Sequence, residues 1–190
     1  SVSSQFSVVT DLSDAIKKIS PKTVNVCGGV HPTLYPQCVL ENKSLDLVFI
    51  GDSEYAFLDF LEKLKNNQSW KDCDNIAYDD NGKMKKNKLR ALLNNQELEQ
   101  LPHPDRSGYA YADTLRHTGM AHFHFTRGCP FVCSFCDPNN LTKKLRYRSP
   151  ENVVQEIEHS IENFNVRYFY ITDSVMTLPK ERFRSLCKLI

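Results

Sequence analysis

No stretch of this chain comes near the roughly 20 consecutive apolar residues that a membrane-spanning helix needs, and no charged-then-apolar secretory leader opens it. Charge of one sign is missing too: 24 Lys and Arg stand against 23 Asp and Glu, a net +1, so no global field draws the chain to nucleic acid or an anionic membrane. A disulfide framework is equally absent from the pattern, because seven cysteines is an odd number and no secretion signal accompanies them. These absences point to a cytoplasmic protein with reduced or metal-bound thiols. Its expected partner is a small-molecule substrate, with no nucleic acid and no membrane span. The chain starts at Ser1 without a methionine and stops at Ile190 inside a helical pattern, so it reads as a piece of a longer protein.

What is present suits a packed core. In 190 residues, 41% are hydrophobic and 25% charged, which allows one large domain or two small ones. Leu12, Ala15, Ile16 and Ile19 recur at helical spacing before Pro21 bars continuation, predicting a helix over 11–19. A Val-rich strand over 23–27 follows and closes at Gly28-Gly29. The next buried strand spans 45–50, and 54–64 carries Phe57, Leu58 and Leu61 on one helical face. Such alternation is the pattern of a parallel α/β sheet, whose ligands sit beyond the carboxyl ends of the strands, where the Gly28 and Gly51 loops fall. Residues 75–78 and 83–86 then flank Asp79-Asp80-Asn81-Gly82, a turn-forming set that predicts a β-hairpin. The basic residues Lys83, Lys85, Lys86, Lys88 and Arg90 read as its solvated face.

Leu101-Pro102-His103-Pro104 cannot lie inside a helix, which makes 94–119 the expected linker between a domain at 1–93 and a second at 120–190. The second begins with a strand over 121–126, runs through a cysteine-rich loop, and continues as a helix over 150–164. Ser149 is placed to N-cap that helix, with Pro150 at its first position and Glu151 beside the positive end of its dipole. The strand over 166–171 has too few polar residues for one wet face and is expected to be buried on both sides. A last helix starts near Pro179.

Between Arg127 and Cys136 the sequence contains C-x3-C-x2-C, with Cys129, Cys133 and Cys136 in a loop directly after a strand. Steps of four and three residues let one tight loop aim three thiolates at a compact centre, and soft thiolate sulfur suits iron–sulfur clusters and zinc. An electron-transfer cluster ordinarily takes four cysteines, and no fourth is local, so one metal position would stay open to a substrate. That vacancy favours catalysis. The alternative is a structural Cys3His zinc site completed by His122 or His124, a noncatalytic stapled module.

The C-x3-C-x2-C with Phe135 before its last cysteine resembles the signature of the radical S-adenosylmethionine (radical SAM) superfamily. Arg146-Tyr147-Arg148-Ser149-Pro150 and Thr172-Asp173-Ser174 are similar to that family as well. The resemblance implies a [4Fe-4S] cluster on Cys129, Cys133 and Cys136, S-adenosylmethionine chelated at the open iron, and its reductive cleavage to a 5′-deoxyadenosyl radical with an electron donor as partner. It also implies that Phe135 lies against the adenine and that Asp173 sits near a cofactor, with strand-end capping as the plainer role for Asp173. Cys27-Gly28-Gly29-Val30-His31-Pro32-Thr33, paired with Gly51-Asp52-Ser53-Glu54, resembles the cobalamin-binding half of the cobalamin-dependent members. On that resemblance Ser3, Gly28, Gly29, Gly51 and Glu54 would contact cobalamin, while His31 is placed for loop structure rather than as a cobalt ligand. Asp52-Ser53 departs from the family's Gly-Glu-Gly-Glu form, which leaves open a member that has lost cobalamin. The implied architecture is α/β: a partial doubly wound (Rossmann-like) cobalamin-binding domain followed by the first two β/α units of a partial (β/α) radical SAM barrel. The implied reaction in the full-length parent is cobalamin-assisted methyl transfer, or a rearrangement or cyclisation.

Overall fold

The computed structural model describes residues 5–136 and 142–190, and the chain divides into two compact units between Leu92 and Leu93. In the first unit, helix α1 (Phe6–Ile19) leads to strand β1 (Val26–Cys27), short helices α2 (Val30–Leu34) and α3 (Pro36–Leu40), and strand β2 (Leu47–Phe49). Helix α4 (Glu54–Lys65) and the hairpin β3 (Ile76–Asp80) and β4 (Lys83–Lys86) complete it. The sheet order is β1-β2-β3-β4. β1 and β2 run parallel, whereas β2–β3 and β3–β4 are antiparallel, so the expected parallel sheet is mixed. The two-residue turn Asn81-Gly82, both with positive φ, reverses the chain between β3 and β4.

Strand alternation sorts the core into two layers. Leu47, Phe49, Ile76 and Tyr78 face Ala56 and Phe60 of α4, while Val48, Ile50 and Ala77 face Val39 and Leu40 of α3, with Phe6 and Val9 of α1 packed against them. Helices thus cover both faces, as a doubly wound sheet requires. α1 begins a turn earlier than its apolar period suggests, and it presents a different face from the one expected. Leu12 and Ile19 are exposed, while Ser13 is buried. The Ser13 hydroxyl donates to the Ser44 carbonyl at 2.8 Å and accepts from the Asn25 amide at 2.8 Å, and Lys17 pairs with Asp46 at 2.7 Å. These polar anchors set the rotation of the helix.

The second unit contains α5 (Asn95–Gln100), α6 (Tyr109–Thr118), β5 (Met120–Phe123), β6 (Thr126–Arg127), β7 (Arg146–Tyr147), α7 (Pro150–Phe164), β8 (Tyr168–Ile171) and α8 (Lys180–Leu189). Residues 94–119, expected as a linker, therefore hold two helices and belong to this unit. Asn94 and Glu97 form a capping box that starts α5, with bonds of 3.0 and 2.7 Å. Glu99 of the same helix accepts from both the backbone N–H and the hydroxyl of Ser149. Prolines break a helix without making the chain around them slack.

β5 and β8 are parallel neighbours, and β6 pairs antiparallel with β7. Ala121, Phe123 and Phe125 point into a core completed by Val153 and Ile157 of α7, Leu115 of α6 and Leu186 of α8. The expected cap of α7 is formed: Ser149 Oγ accepts from the Asn152 N–H at 3.1 Å, and Asn165 ends the helix in the left-handed region. β8 corrects an expectation. All four residues are exposed, Tyr168 to 64%, because among the described residues β8 has a strand neighbour on one edge only.

Candidate functional site

The loop bearing the three cysteines leaves the sheet at Gly128, immediately after β6. Gly128 has a φ of +81°, and a Cβ there would run into the Lys144 carbonyl oxygen and lie 3.0 Å from the Thr142 methyl. Only glycine lets the chain pass this point so closely. One residue on, the Cys129 N–H donates to the Thr142 carbonyl at 3.3 Å, closing the base of the loop. The Cys136 N–H donates to the Cys133 carbonyl at 3.1 Å, a turn that keeps these two residues adjacent. Cys129 and Cys136 are half-buried and Cys133 is exposed. Phe135 is 89% exposed, with Phe131 and Val132 also open to solvent, so the loop presents both sulfur and apolar surface.

The donor set fits a cluster. Each iron of a cubane takes its own thiolate, so three ligands need not converge on one point, whereas the ligands of a single ion must. Among the described residues no three His, Cys, Asp or Glu side chains gather around one ion position.

Asp173 stands just beyond β8, where its Oδ1 accepts the Phe125 N–H at 2.8 Å. This is strand-end capping: the bond ties the exit of β5 to the exit of β8. Thr172 adds a second tie, its hydroxyl donating to the Phe123 carbonyl at 3.0 Å. Beside these strand ends lies a cavity of about 280 Å³, lined by His122, His124, Arg127, Arg148 and Glu156 together with Leu98 and neighbouring residues. Glu156 is 1% exposed and accepts from Arg106 at 2.5 Å and from Arg148. Burial pushes its carboxyl up, but the two guanidinium donors outweigh that and hold it below its ordinary value. Burial drives the Arg182 guanidinium down, and His103 is lowered for the same reason, with Arg148 adding repulsion.

In the first unit the glycine loops meet through a residue to which the sequence reading assigned no role. Thr33 Oγ1 donates to the Gly29 carbonyl at 2.7 Å and accepts from the Gly51 N–H at 3.1 Å. In the sequence it stands at the end of the Cys27–Thr33 motif, four residues after Gly29. Gly29 and Gly51 both have positive φ, at 102° and 72°. Gly28 is different: a Cβ there would make ordinary contact with Phe49 at 3.7 Å. Gly28 and Glu54 line one cavity of about 350 Å³ with Val26, Cys27, Phe49 and Phe57, at the carboxyl ends of β1 and β2. His31 is buried between the rings of Phe6 and Tyr35, at 4.8 and 5.5 Å. Ser3 lies outside the described residues.

Comparison with known proteins finds a family likeness in the second unit. Residues 123–190 match the family model described as the Radical SAM superfamily. Over 90% of its length the chain is 29% identical to the anaerobic magnesium-protoporphyrin IX monomethyl ester cyclase of Rubrivivax gelatinosus, covering 32% of that protein. It is 26% identical over 88% of its length to the cytidylyl-2-hydroxyethylphosphonate methyltransferase of Streptomyces wedmorensis, covering 37%. The chain spans about a third of the length of these curated relatives. Among solved structures, the radical SAM methyltransferase TsrM from Kitasatospora setae superposes with a TM-score of 0.76 at 16% identity, covering 97% of this chain and 36% of that one. The cobalamin-dependent radical SAM enzyme OxsB, solved with aqua-cobalamin and S-adenosylmethionine, gives 0.76 at 22% identity, covering 97% and 27%. These likenesses establish the fold, and the matched segment contains the cysteine loop. No helix among the described residues is long and apolar enough to cross a membrane.

Proposed function

We propose that the full-length protein is a cobalamin-dependent radical SAM enzyme in which Cys129, Cys133 and Cys136 hold a [4Fe-4S] cluster. The carrying observation is the three-cysteine loop, closed at its base by Gly128 and Thr142, inside a segment that matches the Radical SAM superfamily model. With three thiolates supplied by the chain, the open iron is left for S-adenosylmethionine. Held by Cys129, Cys133 and Cys136, such a cluster would supply one-electron reductive cleavage of S-adenosylmethionine, with the electron coming from an external donor.

The chain's own residues do the arranging. Asp173 and Thr172 hold the two strand exits together, and Gly128 lets the cysteine loop pass close to Lys144 and Thr142. Phe135, open on the loop, would supply an apolar face for the adenine. On the first unit, the cavity at Gly28 and Glu54, with Thr33 bracing Gly29 and Gly51, would receive the cobalamin. The methyltransferase and the cyclase among the relatives support methyl transfer as the reaction, with cyclisation second. Under anaerobic conditions with dithionite, the full-length protein is expected to release 5′-deoxyadenosine or S-adenosylhomocysteine from S-adenosylmethionine and to copurify with or bind cobalamin. Cluster assembly without either product would sink the enzymatic reading. Failure to bind cobalamin would move the protein to a radical SAM enzyme without it.

A further inference from the structure

β5 pairs with β8 along one edge, where the Phe123 carbonyl accepts from the Thr172 N–H at 2.9 Å. Backbone groups of alternate residues point to opposite edges of a strand, so His122 and His124 turn their carbonyls to the other side, where no described strand runs. Two arginines from two different segments close that side. Arg106 Nη2 donates to the His122 carbonyl at 3.1 Å and Arg148 Nη1 to that of His124 at 3.5 Å. Glu156 holds both, accepting Arg106 on Oε1 and Arg148 on Oε2. Arg106 also lies over the Phe123 ring at 4.6 Å.

Such a buried charged trio is a poor choice for stability alone, since apolar residues of similar volume often do as well or better. A guanidinium fork can do what an apolar side chain cannot, which is to satisfy a carbonyl and a carboxylate at once. We propose that Glu156 is a positioning residue: acting through Arg106 and Arg148, it substitutes for a strand along the open edge of β5 and thereby fixes the strand that leads into Cys129. The inference rests on the proposed function, because the geometry it sets is that of the cluster loop. β5 ends only six residues before Cys129, and the Asp173 and Thr172 ties clamp the β8 side of the same strand.

The test compares wild-type and Glu156→Gln full-length protein after anaerobic reconstitution. First, the wild-type protein is checked for cluster: its absence would be a failure of the proposed function, seen before any variant is made. With wild-type cluster present, Glu156→Gln is expected to keep the circular dichroism of the fold. Its reduced cluster should give an altered electron paramagnetic resonance signal on addition of S-adenosylmethionine, with cleavage slowed roughly 10- to 100-fold, the range seen when outer supports of metal ligands are removed. Glu156→Asp, which restores the charge, is expected to recover part of both. If Glu156→Gln does not fold, Arg106→Lys carries the test, since it keeps a positive charge on Glu156 but loses the fork to His122. A folded variant with the wild-type signal and cleavage rate would overturn the inference.

Discussion

Gly128 and Lys144 cannot both keep their places if position 128 carries a side chain, because a Cβ there would overlap the Lys144 carbonyl oxygen. The contact is between backbones, so no rotamer change relieves it. The positive φ of 81° adds strain for any other residue. Gly128→Ala is therefore expected to cost about 1–3 kcal/mol, the usual range for overpacking. The cysteine loop should be the part that gives way. Urea unfolding and iron content after reconstitution measure the two effects, and wild-type iron in a folded Gly128→Ala protein would contradict the assignment of Gly128 as the loop's pivot.

Ser149 serves two partners, capping α7 through Asn152 and reaching Glu99 of α5. Ser149→Ala should lower the stability of the second unit by about 1–2 kcal/mol, a cap loss with an added hydrogen bond. Thermal unfolding monitored on each unit would place the loss in 93–190 and leave 1–92 unchanged.

Glu156 predicts a pH dependence. Its folded pKa is held below the ordinary value of 4.5 by Arg106 and Arg148. A group depressed in this way contributes stability that is present above the unfolded value and is lost as pH falls through the folded one. The stability gap between wild type and Glu156→Gln should accordingly be widest above about pH 4.5 and narrow below it. Urea midpoints at several pH values report the gap, and a constant gap would mean that the charge on Glu156 is not what the arginines use.

Thr33→Val keeps the shape of the side chain and removes its oxygen. The Gly51 N–H then loses its acceptor and the Gly29 carbonyl a donor. A loss of about 0.5–1.5 kcal/mol is expected for the first unit, with weaker cobalamin binding by the full-length protein, read by equilibrium dialysis. Unchanged affinity would separate these loops from the cobalamin site.

Much of this architecture is legible in the residues. The cap and span of α7 follow from Ser149, Pro150 and the apolar period, and Asn81-Gly82 specifies the β3–β4 reversal, because both depend on neighbours in sequence. What local pattern cannot carry is long-range polar pairing. Ser13 and Lys17 take the inner face of α1 only because Ser44, Asn25 and Asp46 wait on the sheet. Residues 94–119 look like a linker until Glu99 meets Ser149 and Arg106 meets Glu156, fifty residues away. The cysteine spacing was readable at once, whereas Gly128, Thr33 and the arginine edge needed the fold to show what they touch.

The central claim is that Cys129, Cys133 and Cys136 hold a cluster with one iron left open. Anaerobic reconstitution followed by iron and acid-labile sulfide analysis tests it most directly. The account predicts about four of each per chain, lost in Cys133→Ala and retained in Cys187→Ala, with a signal that changes when S-adenosylmethionine is added. One tightly bound zinc per chain, or iron that survives Cys133→Ala, would contradict it.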